Sequence, residues 1–69
     1  MSILEDVADE LAQKTLKLEA ATGNEKLVSA VADAIGNTSP TMQEAFQTQV
    51  RIRRAERRAL EVLARHSPG

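Results

Sequence analysis

The sequence predicts an all-α protein in which two short helices pack on one long C-terminal helix. Apolar residues recur at intervals of three and four, and Gly and Pro interrupt the chain only between such segments or in the tail. The helices are expected at about 3–21, 25–35 and 40–66. We expect a single helical domain over residues 1–66, followed by a flexible C-terminal tail at 67–69.

The first helix is predicted to begin at Ser2, because Ser2 and Glu5 have the spacing of a capping box. Thr15 fills the one gap in the apolar face that follows. Gly23 predicts a left-handed C-cap, and Asn24 is placed to cap the second helix. The apolar face consists of Ile3, Leu4, Val7, Ala8, Leu11 and Leu18.

The second helix is short and the third is long. Gly36 is predicted to end the second helix, with Ser39 as N-cap and Pro40 as first residue of the third. Neither Gly nor Pro occurs between Pro40 and His66, so one helix of about 39 Å is expected at 1.5 Å per residue. That length is about twice the average for globular proteins.

The apolar residues of the third helix form two clusters, rotated by about a quarter turn. The first cluster is Met42, Ala45, Phe46 and Val50. The second cluster is Ile52, Ala55, Ala59, Val62 and Leu63. Polar residues lie between them, at Gln49, Arg53, Glu56 and Arg57. We predict that the first cluster packs on the short helices, and that the second forms an interface between copies of the chain.

The small core also favours self-association. Eleven of the 69 residues are Ala and only one is aromatic, so few large side chains are left for the core. Small cores supply only a few kcal/mol of stability, and oligomerisation is a common remedy. We therefore expect a homo-oligomer, with a symmetric dimer favoured and its long helices antiparallel or crossing.

The charges divide along the chain. Residues 1–39 carry seven acids and three bases, whereas residues 40–69 carry three acids and six bases, all of them Arg. The acidic half is expected to pack against the basic half, within one chain or between two. A solvent-facing strip is the candidate contact for nucleic acid or for an acidic protein partner, since Arg binds carboxylates and phosphates bidentately. It comprises Gln43, Gln47, Arg51, Arg54 and Arg58.

Residues 31–46 resemble a helix-turn-helix. Ala32 lies four residues before Gly36 and Met42 lies six after it, which suits two helices that cross at a tight turn. The Ser39-Pro40-Thr41 opening is similar to the second such motif of AraC-type regulators. The resemblance implies DNA binding, with Thr41, Gln43, Glu44 and Gln47 facing the groove and Arg51, Arg54 and Arg58 at phosphates. This is the alternative hypothesis, because a net charge of −1 is unlike the usual basic footprint.

No pattern indicates catalysis. The chain has no Cys, a single His at His66 and three scattered Gly, so we expect no catalytic, cofactor-binding or metal-binding site and no enzymatic activity. No apolar run approaches the ~20 residues of a membrane span, and the start lacks the features of a signal peptide. The expectation is a non-enzymatic cytoplasmic protein that acts through self-association and protein–protein interaction, without membrane partners.

Overall fold

A computed structural model describes residues 2–68. It contains helices α1 (Ile3–Thr22), α2 (Leu27–Gly36) and α3 (Pro40–Arg65), with no strand in the described range. The two shorter helices pack against α3, which confirms the predicted fold class. The first residue of the predicted domain and Gly69, the last residue of the predicted tail, lie outside the described residues.

Local side-chain caps set most of the helix ends. The Ser2 hydroxyl accepts a hydrogen bond from the Glu5 N–H at 3.2 Å, as the capping box predicts. Gly23 has a φ of 72°, and its N–H donates to the Glu19 carbonyl at 2.7 Å. The Ser39 hydroxyl accepts from the Met42 N–H at 3.1 Å at the start of α3. These contacts confirm the predicted caps at the start and end of α1 and at the start of α3.

The start of α2 differs from the prediction. The helix begins at Leu27, two residues after the predicted start at Glu25. Asn24 accounts for the difference, because its side-chain oxygen accepts a hydrogen bond from the Lys26 N–H at 3.0 Å. Such a bond holds the backbone in a turn that competes with helix. Asn24 therefore shapes a turn before the helix.

The core is formed by side chains from all three helices. Phe46 is completely buried, and half-buried apolar residues of α1 and α2 surround it. Alanine side chains on α1 and α2 let the helices approach closely. The Thr15 hydroxyl is also buried and donates to the Leu11 carbonyl at 2.7 Å, so its polarity is satisfied. The core cluster is Ala12, Leu16, Ala32, Phe46 and Val50.

The shared core covers only the first half of α3. Val50 is 2% exposed, whereas every residue from Arg54 to Arg65 is exposed. The radius of gyration is 13.8 Å, compared with about 11 Å for a compact domain of this length. Its principal extents of 48 × 30 × 13 Å likewise describe a long, thin molecule. The second half of α3 therefore extends past the core.

Gly36 allows a side chain of α3 to lie against the end of α2. The Gln43 side-chain amide donates to the Ala32 carbonyl at 3.0 Å. A Cβ atom on Gly36 would lie only 2.5 Å from Nε2 of that amide. The φ of Gly36 is not positive, so its backbone conformation does not call for glycine. The close approach of the Gln43 side chain is what favours glycine at this position.

We predict strong coupling between residues 36 and 43. Gly36→Ala should stabilise a Gln43→Ala variant by about 0.5–1 kcal/mol, because Ala restricts the unfolded chain. In the presence of Gln43 the gain should disappear, because the new methyl group displaces a hydrogen bond worth about 0.5–1.5 kcal/mol. Urea unfolding of the four variants measures the coupling. An equal effect of Gly36→Ala in both backgrounds would contradict the contact.

Candidate functional site

The second half of α3 carries an exposed apolar face, which we define as Ile52, Ala55, Ala59, Val62 and Leu63. At 100° per residue these five side chains lie within about 100° of one another around the helix. Ile52 is 52% exposed, Val62 44% and Leu63 65%. The sequence prediction placed an interface here, and the residues form one continuous surface that residues 2–68 of the same chain leave uncovered.

This apolar face points away from the chain's own core. Ile52 follows Val50 by two residues and so lies about 160° from it around α3. Phe46 and Val50 face α1 and α2, as the first predicted cluster should. A partner covering the apolar face would therefore not need to displace α1 or α2.

Arg53, one of the charged residues between the two apolar clusters, binds a carboxylate of the same chain. Arg53 makes a two-pronged contact with Asp9, in which Nε donates to Oδ1 at 2.9 Å and Nη2 to Oδ2 at 2.7 Å. Its Nη1 atom also donates to Glu56 at 3.3 Å. Bidentate pairs of this kind are strong and directional. Arg53 therefore ties α1 to α3 at the point where the core ends.

The Asp9–Arg53 contact alters the ionisation of both groups. The hydrogen bond from Arg53 holds the pKa of Asp9 below its ordinary value, although partial burial opposes this. A hydrogen bond from Gln13 and the positive charge of Arg53 lower that pKa further. The bond to Asp9 in turn raises the pKa of Arg53. The lowered pKa of Asp9 and the raised pKa of Arg53 both favour the ionised forms of these side chains.

A second ion pair joins the same two helices. Arg54 donates to the Glu19 carboxylate at 3.3 Å. Together with Asp9–Arg53, this confirms that the acidic first half packs against the basic second half within one chain. The sequence indicated the two halves correctly, but did not show which residues pair.

The predicted polar strip separates into two groups. Arg51, Arg54 and Arg58 are exposed, and we call them the arginine strip. Arg51 and Arg58 make no ion pair with any residue in the range 2–68. Gln43 and Gln47 are half-buried, and Gln43 already donates to the Ala32 carbonyl. Gln43 therefore joins α2 to α3. The only sign of this contact in the sequence was Gly36, seven residues earlier, which leaves room for the Gln43 side chain.

The rest of the described surface contains open clefts between and along the helices. One open cleft lies between α1 and the second half of α3, and is lined by Leu16, Leu60 and charged side chains such as Lys17 and Arg57. Within residues 2–68, no group of three or more His, Cys, Asp or Glu side chains is placed to bind a metal ion. None of the three helices has both the length and the apolar character needed to cross a membrane, as far as the described residues go.

Comparison of the chain with protein-family models, with curated proteins and with solved structures finds no match. The exposed surfaces of α3 are therefore the basis on which the chain's function is inferred.

We predict that Asp9→Asn destabilises the fold at neutral pH and has little effect in acid. Because the folded-state pKa of Asp9 is lowered, its contact with Arg53 stabilises the protein above the ordinary Asp value of about 3.9. That contribution is lost as the pH falls through the lowered pKa. Thermal unfolding of both proteins between neutral pH and strong acid measures the difference.

Glu10→Gln is the matched control, because Glu10 pairs with Lys14 at 2.9 Å on an exposed surface of α1. Exposed pairs contribute little to stability. The control should therefore change the melting temperature less than Asp9→Asn does at neutral pH. Equal losses, or a loss for Asp9→Asn that does not depend on pH, would contradict the assigned role of the Asp9–Arg53 contact.

Proposed function

We propose that this protein is a non-enzymatic helical module that self-associates through the apolar face of α3, with a symmetric dimer favoured. The observation that carries the proposal is the position of this face. Ile52, Val62 and Leu63 are exposed on the side of α3 opposite the core. Contiguous exposed apolar surfaces of this kind are typical of interaction sites.

The energetics also favour a second copy. Burying a Val, Leu or Ile side chain contributes about 1.5–3 kcal/mol. In a two-fold dimer each such residue is buried twice, because the same surface serves both subunits. The chain's own core has Phe46, Leu16 and Val50 as its only large side chains within residues 2–68. Association would therefore add substantially to the stability of the fold.

The arginine strip is the proposed contact for an acidic protein surface, on the second copy or on another protein. Arg51 and Arg58 have no carboxylate partner in the described part of the chain, and both are exposed. Their guanidinium groups suit bidentate binding of Asp and Glu side chains. Arg54 is partly engaged with Glu19 and would contribute less.

We predict that the wild-type protein shows a concentration-dependent mass in sedimentation equilibrium. Ile52→Gln should weaken the association by more than about tenfold, because the apolar contribution of Ile52 is lost twice per dimer. Leu18→Gln is the control, since Leu18 is similarly exposed at 51% but lies on α1. A monomer of 7.5 kDa that keeps its full helicity at high micromolar concentration would refute the proposal.

DNA binding through a helix-turn-helix is the second candidate function. The turn between α2 and α3 is short, spanning residues 37–39, and the arginine strip lies beyond it on the exposed side of α3. However, Gln43 is already bonded to Ala32, so base contacts would depend on Thr41, Glu44 and Gln47. Self-association is the better supported proposal. The apolar face is uncovered, whereas Gln43, one of the side chains predicted to contact bases, is hydrogen-bonded to Ala32.

If the second candidate is correct, the protein binds duplex DNA with an affinity that falls as salt rises. Arg51→Ala and Arg54→Ala should each lower the slope of log affinity against log salt by roughly one. Lys17→Ala, on α1, is the matched charge control and should leave the slope unchanged. Fluorescence anisotropy with a labelled random duplex measures these values. No detectable binding at low salt would eliminate DNA binding.

A further inference from the structure

We propose that the two copies of α3 in the dimer pair parallel and in register. This inference rests on the proposed self-association and adds the direction of pairing. The order of small, apolar and charged residues around the exposed side of α3 indicates this direction.

The exposed side of α3 carries a heptad pattern. Small or apolar residues alternate at spacings of three and four, as at the a and d positions of a coiled coil. From Thr48 onward, every member of the series is exposed. The a positions are Ala45, Ile52 and Ala59, and the d positions are Thr48, Ala55 and Val62. This series runs along the apolar face and extends it by two turns towards the start of α3.

The chain's own packing leaves the positions from Thr48 onward exposed, whereas Ala45, which belongs to the first predicted cluster, is half-buried. Phe46 and Arg53 occupy b positions and Val50 an f position of the same heptads. These three side chains face α1 or α2. In a two-stranded coiled coil the b, c and f positions point outward, away from the partner helix. The α1 and α2 helices would therefore lie on the outside of the dimer.

The two flanks of the heptad pattern carry different side chains. One flank, the g positions, begins with Glu44 and consists of arginine alongside the apolar face. The arginines are Arg51, Arg58 and Arg65. The other flank, the e positions, comprises Gln49, Glu56 and Leu63. In an antiparallel pair centred on the apolar face like flanks meet, so Arg51 and Arg65 of one copy would face Arg65 and Arg51 of the other, and the two copies of Arg58 would face each other. In a parallel pair the g flank faces the partner's e flank, and this repulsion is avoided.

A parallel pair also gives the flanking charges suitable partners. Arg51 comes beside Glu56 of the second copy, and Arg51 makes no ion pair within residues 2–68. The Glu56 side chain is 56% exposed, and only its Oε1 atom is bonded to Arg53, at 3.3 Å. Oε2 of Glu56 is available to accept from the second copy. The stem of Arg58 comes beside Leu63 of that copy and can cover it.

Cysteine cross-linking tests the direction, because the chain contains no natural Cys. Ala55→Cys and Val62→Cys place single thiols at two d positions, about 10.5 Å apart along the helix at 1.5 Å per residue. Ala64→Cys is the control, since Ala64 is exposed on the other side of α3. In a glutathione buffer, both d-position variants should form the homodisulfide with an effective concentration at least about tenfold above the control.

An antiparallel pair gives a different result. A two-fold axis that brings residue 55 close to its counterpart would hold the two copies of residue 62 about 21 Å apart, so at most one variant would cross-link efficiently. Cross-linking of only one variant, or of neither, in a protein that sediments as a dimer would overturn the parallel arrangement. A wild-type protein that sediments as a monomer would instead refute the proposed self-association.

Charge reversal provides an independent test. Arg51→Glu should weaken dimerisation by about tenfold, because it places two carboxylates together at each Arg51–Glu56 contact. The double variant Arg51→Glu with Glu56→Arg should recover most of the lost affinity in sedimentation equilibrium. If the double variant stays as weak as Arg51→Glu alone, the parallel pairing of these flanks is wrong.

Discussion

Burial of Phe46 is the interaction on which the rest of the fold depends. It is the only large side chain that is fully buried among residues 2–68, and the core around it consists of two alanines, Leu16 and Val50. Replacing an aromatic core residue by Ala typically costs about 3–5 kcal/mol. In a core this small no other side chain provides comparable apolar burial, so α1 and α2 meet α3 around Phe46.

The small core limits how much of α3 the chain can cover. Val50 is the last buried residue of α3, and the helix continues to Arg65. The ion pair of Arg53 with Asp9 lies just past the core. Beyond it, α3 keeps its strong helix formers but meets little of its own chain. A helix that extends this far with apolar side chains on one face is stable in water chiefly when something covers that face.

Local signals predicted most helix ends, whereas contacts between helices could not be read from the sequence. Ser2, Gly23 and Ser39 act on backbone groups within four residues, so their roles follow from spacing. Arg53 and Asp9 are 44 residues apart. Six arginines and several acids allow many pairings, and only the crossing of α1 and α3 selects this one. α2 begins at Leu27, where the sequence predicted a start at about Glu25, because Asn24 suits either a helix cap or a turn.

The position of each arginine around α3 determines its role. Arg53 and Arg54 face α1 and bind its carboxylates, so part of the charge asymmetry that suggested an external partner is satisfied within the chain. Arg51, Arg58 and Arg65 flank the apolar face and lie next to Arg54 around the helix. All three are positively charged, so this flank would repel the same flank of a second copy. It can pair favourably only with the e flank, which carries Glu56. The arginines of one helix thus serve two purposes. Arg53 and Arg54 join α1 to α3, whereas in the proposed dimer Arg51, Arg58 and Arg65 would favour parallel over antiparallel pairing.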